Sequence, residues 1–285
     1  MRLSVKIMAH KKRAHHIPGL LERLGLTDDD VIWDRRSDRW DTGRRAWEAV
    51  DQSADWGCVL QDDAVVCNDF IAGMEKALAT LPERCLVSPY VGTRRPSASR
   101  VERSVQAARK AGVSWIRMPS LNWGVGIIAP TDIIPGMLPW CDRQTYPNYD
   151  RRIGRYAIDV LRLPTWCTWP SLVDHRDDDS LVGHGRGRKA HQFIGEDASA
   201  LDVKWGSAHV DLGNRPANSG RRFPKRPIAN AVNDQPNVNA LRVPTQAPFV
   251  ARNRQKPAQV LRVAKTQRFG VDAPPKRPDA ESPAV

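Results

Sequence analysis

The stretch WGCVLQDDAVV, Trp56–Val66, runs an apolar segment into two adjacent aspartates, Asp62 and Asp63, and resumes with the apolar pair Val65 and Val66. Neighbouring carboxylates at the end of a buried strand repel each other and lose solvation, which costs several kcal/mol unless a cation or hydrogen-bond donors compensate. A divalent cation is the simplest compensation. Mg²⁺ or Mn²⁺ accepts one or two protein carboxylates and fills its remaining sites with phosphate oxygens and water. The local alternative is that Asp62 caps the next helix and Asp63 stays solvated.

Upstream, LSVKIMAH (Leu3–His10) alternates like a strand, a basic cluster follows, and IPGLLERLGL has helical apolar spacing. Val31 to Trp33 reads as a second strand ending in Asp34, TGRRAWEAVDQSA as a helix, and Trp56–Val66 as a third strand. CNDFIAGMEKALATLP reads as a helix that Asn68 or Asp69 caps. Strands alternating with helices at this spacing predict a mixed, mainly parallel α/β sheet, with ligands at the carboxyl ends of its strands. Ala9 and His10 with Arg13, then Asp34, then Asp62 with Asp63 occupy three such ends. Further segments are CLVSPYVG, the helical RVERSVQAARKAG, SWIRMP, NWGVGIIAP, YPNYDRRIGRYAIDVL and WCTWPSLVDHRDDDSLVGHG.

Composition divides the chain near residue 215. All ten tryptophans lie between Trp33 and Trp205, whereas 216–285 holds 11 of the 22 prolines. That segment carries thirteen Lys or Arg against Asp234, Asp272, Asp279 and Glu281, so nine of the twelve net positive charges fall there. A Pro-rich, Arg-rich and aromatic-poor segment buries too little apolar area to offset its ordering entropy. The expected organisation is a folded domain at 1–215 and a largely disordered tail at 216–285 whose charge suits an anionic partner. The five cysteines show no C-x-x-C pair, which predicts reduced core thiols. No apolar run approaches a membrane span and the N-terminus has no signal-like core, so a cytoplasmic protein is expected.

The order of these pieces resembles the GT-A fold of nucleotide-sugar-dependent glycosyltransferases of phage or bacterial type, over roughly residues 1–200. The resemblance implies transfer of a sugar from a UDP- or GDP-sugar to a hydroxyl on a protein, a glycan or modified DNA. It implies that Asp63 binds Mn²⁺ or Mg²⁺, that His175 completes the metal site, and that Asp62 reaches ribose or sugar. Gln61 stands where the family's first acidic residue is. Asp34 matches the residue that accepts from the base. Gly43 and Ala46 match the positions that let the nucleotide approach, Arg44 or Arg45 suits the diphosphate, and Gly124 matches the segment beneath the donor sugar. Asp150 matches the base of inverting members. In residue terms, Asp150 reads equally as an ion-pair partner of Arg151 or Arg152, and Asp177 to Asp179 offer an alternative metal site. The rival functions are a metal-dependent nuclease and a nucleic-acid-binding protein.

Overall fold

The computed structural model describes residues 1–176 and 188–212. Among them the elements run β1 (Leu3–Ala9), α1 (Ile17–Leu24), β2 (Val31–Trp33), α2 (Arg39–Glu48), β3 (Trp56–Gln61), β4 (Ala64–Val66), α3 (Phe70–Leu78) and β5 (Leu86–Ser88). They continue as α4 (Ala98–Ala111), β6 (Trp115–Met118), β7 (Gly126–Pro130), α5 (Ile134–Asp142), α6 (Tyr149–Tyr156), β8 (Thr165–Thr168), β9 (Val173–His175) and β10 (Val210–Asp211).

Eight strands form one sheet in the order β10-β6-β8-β5-β7-β3-β1-β2, while β4 pairs with β9 separately. β1 lies parallel to β2 and to β3, and β7 enters antiparallel between β3 and β5. The sheet is therefore mixed, with four parallel and three antiparallel pairings. This is the expected α/β class. The tail at 216–285 and its boundary at 215 lie outside the described residues.

Alternation along the strands decides which layer each side chain enters. Val5, Ile7, Cys58 and Leu60 join α1 and α3 on one face, and Met8, Val59, Ile127 and Ala129 join α2, α5 and α6 on the other. Ile116, Met118 and Cys167 pack under α4 in a third cluster. All five cysteines are buried and unpaired, as their spacing predicts. No helix among the described residues is long and apolar enough to cross a membrane.

Three local readings change. The single strand expected over Trp56–Val66 is broken at Asp62 and Asp63 into β3 and β4, which belong to different sheets. The second helix starts at Arg39 because the Asp38 carboxylate accepts from the N–H of Trp40 at 2.8 Å. Asp69 does hold the cap position of α3, yet in a left-handed conformation whose carboxylate accepts from Ser199 Oγ at 2.5 Å and not from the helix.

That Ser199 contact belongs to a return segment laid along α3. A Cβ added at Gly73 would lie 2.2 Å from Cβ of Ala200 and 2.8 Å from its backbone, whereas one at Gly19 on α1 would meet nothing within 4 Å. Helix propensity alone makes Gly→Ala stabilising by about 0.5–1 kcal/mol at both sites. Gly19→Ala is expected to stabilise by that amount. Gly73→Ala is expected to destabilise by about 1–3 kcal/mol, because the return segment must move. Urea unfolding of the two variants checks the opposite signs.

Candidate active site

The site begins where β1 runs out. Ala9 accepts from the N–H of Asp34 at 2.7 Å and Met8 from the N–H of Asp62 at 3.1 Å, so the ends of β1, β2 and β3 are tied to one another by backbone bonds. The next residue, His10, donates its N–H to Asp62 Oδ2 at 2.6 Å. Its Nδ1 accepts from the N–H of Lys12 at 3.2 Å, which leaves Nε2 toward Asp34 Oδ2 at 3.8 Å. Asp34 also accepts from the N–H groups of Arg36 and Ser37 and from the Thr42 hydroxyl. Burial works against its charge, but these donors outweigh it and hold the carboxyl below the usual aspartate range.

The two aspartates of the opening stretch are 5% and 4% exposed, and neither caps a helix. Arg13 lies over both. Its Nη1 reaches Asp62 Oδ1 at 3.1 Å and also bonds Asp63 Oδ2. Burial opposes its charge, yet Asp63 and Asp62 raise its pKa further. The Asp62 carboxyl is pushed up by burial and by Asp63 against the pull of the His10 N–H and Arg13. An arginine thus supplies the compensating charge expected at this strand end.

Compensation is incomplete. β4 pairs antiparallel with β9 with Ala64 opposite His175, which sets His175 Nε2 3.3 Å from Asp63 Oδ2. His175 Nδ1 faces the Arg176 carbonyl at 2.5 Å, and a carbonyl only accepts, so Nδ1 carries the hydrogen and Nε2 is the ring nitrogen turned toward Asp63. Asp63 Oδ1 is buried with no hydrogen-bond partner among the described residues. No group of three or more His, Cys, Asp or Glu converges on a metal position among those residues. The Asp177 to Asp179 run falls outside them.

A cleft of about 650 Å³ opens beside this cluster at the ends of β1 and β2, lined by His10, Lys11, Trp33, Asp34, Arg35 and Ser37. It pairs a half-buried indole with a carboxylate and two cations. Arg45, on α2, holds its wall by donating to the Trp33 carbonyl at 2.9 Å.

The other predicted residues divide. Arg44 is engaged elsewhere, between Asp142 at 3.0 Å and Glu48 at 2.7 Å. Ala46 is fully buried in the core beneath α2. Gly43 and Gly124 both close on Tyr149, since a Cβ at either would lie 3.0 Å from its ring. Tyr149 is buried and donates its hydroxyl to the Gly124 carbonyl. A Cβ at Gly124 would also lie 3.0 Å from Cβ of Asp150, so the two glycines set where Asp150 stands.

Asp150 is no ion pair of its neighbours. Arg151 stacks on Tyr146, and Arg152 donates to the carbonyls of Tyr146 and Cys141. Burial pushes the Asp150 carboxyl above the usual range, opposed by the Arg151 N–H and by the charges of Arg95 and Arg39. Tyr149 links the halves of the site, because its hydroxyl lies near the Gln61 amide and within the field of both Asp63 and Asp150. Its place beside Asp150 on α6 was the only sequence signal for it.

Fold and site together define an α/β protein with a polar cleft and a buried ionic cluster at its strand ends. No protein-family model matches the sequence, and no curated protein matches it. Among solved structures, the catalytic domain of Drosophila β1,4-galactosyltransferase 7, in complex with xylobiose, aligns over 65% of this chain and 74% of that one. The identity is 9% and the TM-score 0.35.

If Arg13 neutralises the strand end, Arg13→Met strands two buried carboxylates and is expected to destabilise by about 3–5 kcal/mol. Adding Asp62→Asn and Asp63→Asn to Arg13→Met is expected to restore most of that loss. Equilibrium unfolding of the single and triple variants measures both.

Proposed function

We propose that the chain is a glycosyltransferase that moves a sugar from a nucleotide-sugar donor, UDP- or GDP-linked, to a hydroxyl acceptor. The observation that carries this reading is the meeting of three strand ends, where a nucleotide-sized cleft at Trp33 and Asp34 adjoins the Arg13, Asp62, Asp63 and His175 cluster.

The Trp33 indole offers a face for the base, and Asp34, held ionised by its donors, accepts from the base or ribose. Lys11 and Arg35, which line the cleft, place positive charge where a diphosphate would lie. Two carboxylates against one guanidinium leave net negative charge, and a carboxylate oxygen, Asp63 Oδ1, near an imidazole nitrogen, His175 Nε2, is a donor set that suits a divalent cation. Asp63 and His175 would hold Mn²⁺ or Mg²⁺, which when bound supplies positive charge to the departing diphosphate.

Asp150 accepts the proton of the acceptor hydroxyl as the oxygen bonds to the anomeric carbon. The bond from that carbon to the phosphate oxygen breaks, and its electron pair leaves with the nucleoside diphosphate. This assignment describes an inverting enzyme. The acceptor class at this level is a protein, a glycan or modified DNA.

Calorimetric binding of UDP, GDP and TDP, with and without Mn²⁺, followed by turnover of radiolabelled nucleotide sugars, tests the reading. Binding of none of them would overturn it. Asp63→Ala is expected to fold and to lose the Mn²⁺-dependent part of donor affinity. Asp150→Asn is expected to keep donor affinity and to lower kcat about 10²- to 10⁴-fold.

The pH dependence follows from the same residue. Asp150 acts only when ionised, and burial raises its pKa, so kcat/KM should fall as pH drops through a value above the ordinary aspartate 3.8. A pH–rate profile with no acid limb above that value would remove Asp150 as the base.

A further inference from the structure

The rim around Asp150 is cationic in a way the donor cleft does not require. Arg94 and Arg95 follow β5 on an exposed loop, Arg39 opens α2 and is exposed, and Arg151 is exposed on α6. None of the four makes an ion pair with a carboxylate among the described residues. Arg39 donates to the Asn148 side chain at 2.8 Å, and Arg151 lies 4.2 Å over the Tyr146 ring. Arg2, Arg84, Arg117 and Arg155, elsewhere on the described chain, each have a carboxylate partner.

Three elements bring these cations to one place. A Cβ at Gly92 would lie 2.6 Å from Trp123 Nε1, and one at Gly124 would lie 3.0 Å from Cβ of Asp150. The loop carrying Arg94 and Arg95 is thereby joined to Asp150 through Trp123, whose ring is half-buried. The fields of Arg95 and Arg39 reach the Asp150 carboxyl, which agrees with that placement.

Exposed guanidinium groups that no carboxylate among the described residues neutralises favour an anionic acceptor over a neutral one. Guanidinium forks match phosphate oxygens, and cations interleaved with aromatic rings suit an extended strand of phosphates and bases. We propose that Arg39, Arg94, Arg95 and Arg151 form an acceptor subsite around Asp150 that takes a nucleic-acid strand, the hydroxyl to be glycosylated being presented between its phosphates. Tyr146, half-buried beside Arg151, supplies a stacking face. The proposal deepens the glycosyltransferase reading at its acceptor side and rests on it for the transfer step. The binding step stands alone.

The test therefore uses binding without donor or turnover. A fluorescent twelve-nucleotide oligothymidine is titrated against the full chain, alongside its uncharged methylphosphonate counterpart. The phosphodiester is expected to bind at least about tenfold more tightly, with affinity falling as salt rises. Arg94→Gln with Arg95→Gln is expected to weaken phosphodiester binding at least about tenfold and to lessen the salt slope by about 1.4, two phosphate contacts on a single strand. Thermal unfolding verifies that these exposed replacements leave the fold intact. The control is Arg252→Gln with Arg254→Gln in the tail, which removes the same charge elsewhere.

Equal binding of the two oligomers would overturn the proposal, as would an equal loss in the rim and tail variants. Weak oligomer binding with intact UDP or GDP binding would overturn the acceptor class alone and leave the transferase reading standing. Oligomer binding that depends on Arg94 and Arg95, with no nucleotide binding, would keep the subsite and remove the transferase reading.

Discussion

Arg13 holds two carboxylates that would otherwise be buried side by side, and the geometry of the strand ends depends on that contact. Buried ion pairs add little net stability, because desolvation of three charges offsets their attraction. What they supply is position. The guanidinium draws the segment after β1 onto the turn between β3 and β4, and the N–H of His10 follows it onto Asp62. The same turn starts β4, whose pairing with β9 presents His175 to Asp63. Loss of the arginine would release elements that are far apart in sequence.

The site has two sides of different character. On one, a cleft lined by an indole, a carboxylate and two cations lies over the ends of β1 and β2. On the other, Asp150 sits in a cationic rim. Tyr149 stands between them, clamped by Gly43 and Gly124 and bonded to the Gly124 carbonyl. A buried ring packed against two glycines and bonded at its hydroxyl has little freedom, so the spacing of the two sides is set by packing.

Much of this was legible in the sequence because it rests on local pattern. Alternation in Leu3–Ala9 and the apolar run before Gln61 predict strands, and the unfavourable juxtaposition of Asp62 and Asp63 predicts a compensating group. What kind of group it would be was not legible. Arg13 reaches the aspartates from a kink in the short helical turn Lys11–His16 that leads into α1, and a cation on a basic stretch looks like a solvated one until the fold buries it. The break between β3 and β4 was hidden for a similar reason. Val65 and Val66 continue an apolar run whether they extend the main sheet or start another, and only the partner strand β9 decides. At Gly43 and Gly124, expected to sit against the nucleotide and the donor sugar, the sequence carried no sign that the Tyr149 ring also closes on both.

The five buried thiols divide among the three hydrophobic clusters. Cys58, Cys67 and Cys85 belong to the first, Cys141 to the second and Cys167 to the third. Burial pushes the Cys67 and Cys141 thiols up to about 12, so they scarcely ionise at neutral pH, and alkylation has to wait for the core around them to open. Each layer of the molecule thus carries its own native clock for opening. Mass spectrometry of alkylated peptides can read whether the layers on the two faces of the sheet come apart together or one at a time, with no label introduced into the chain.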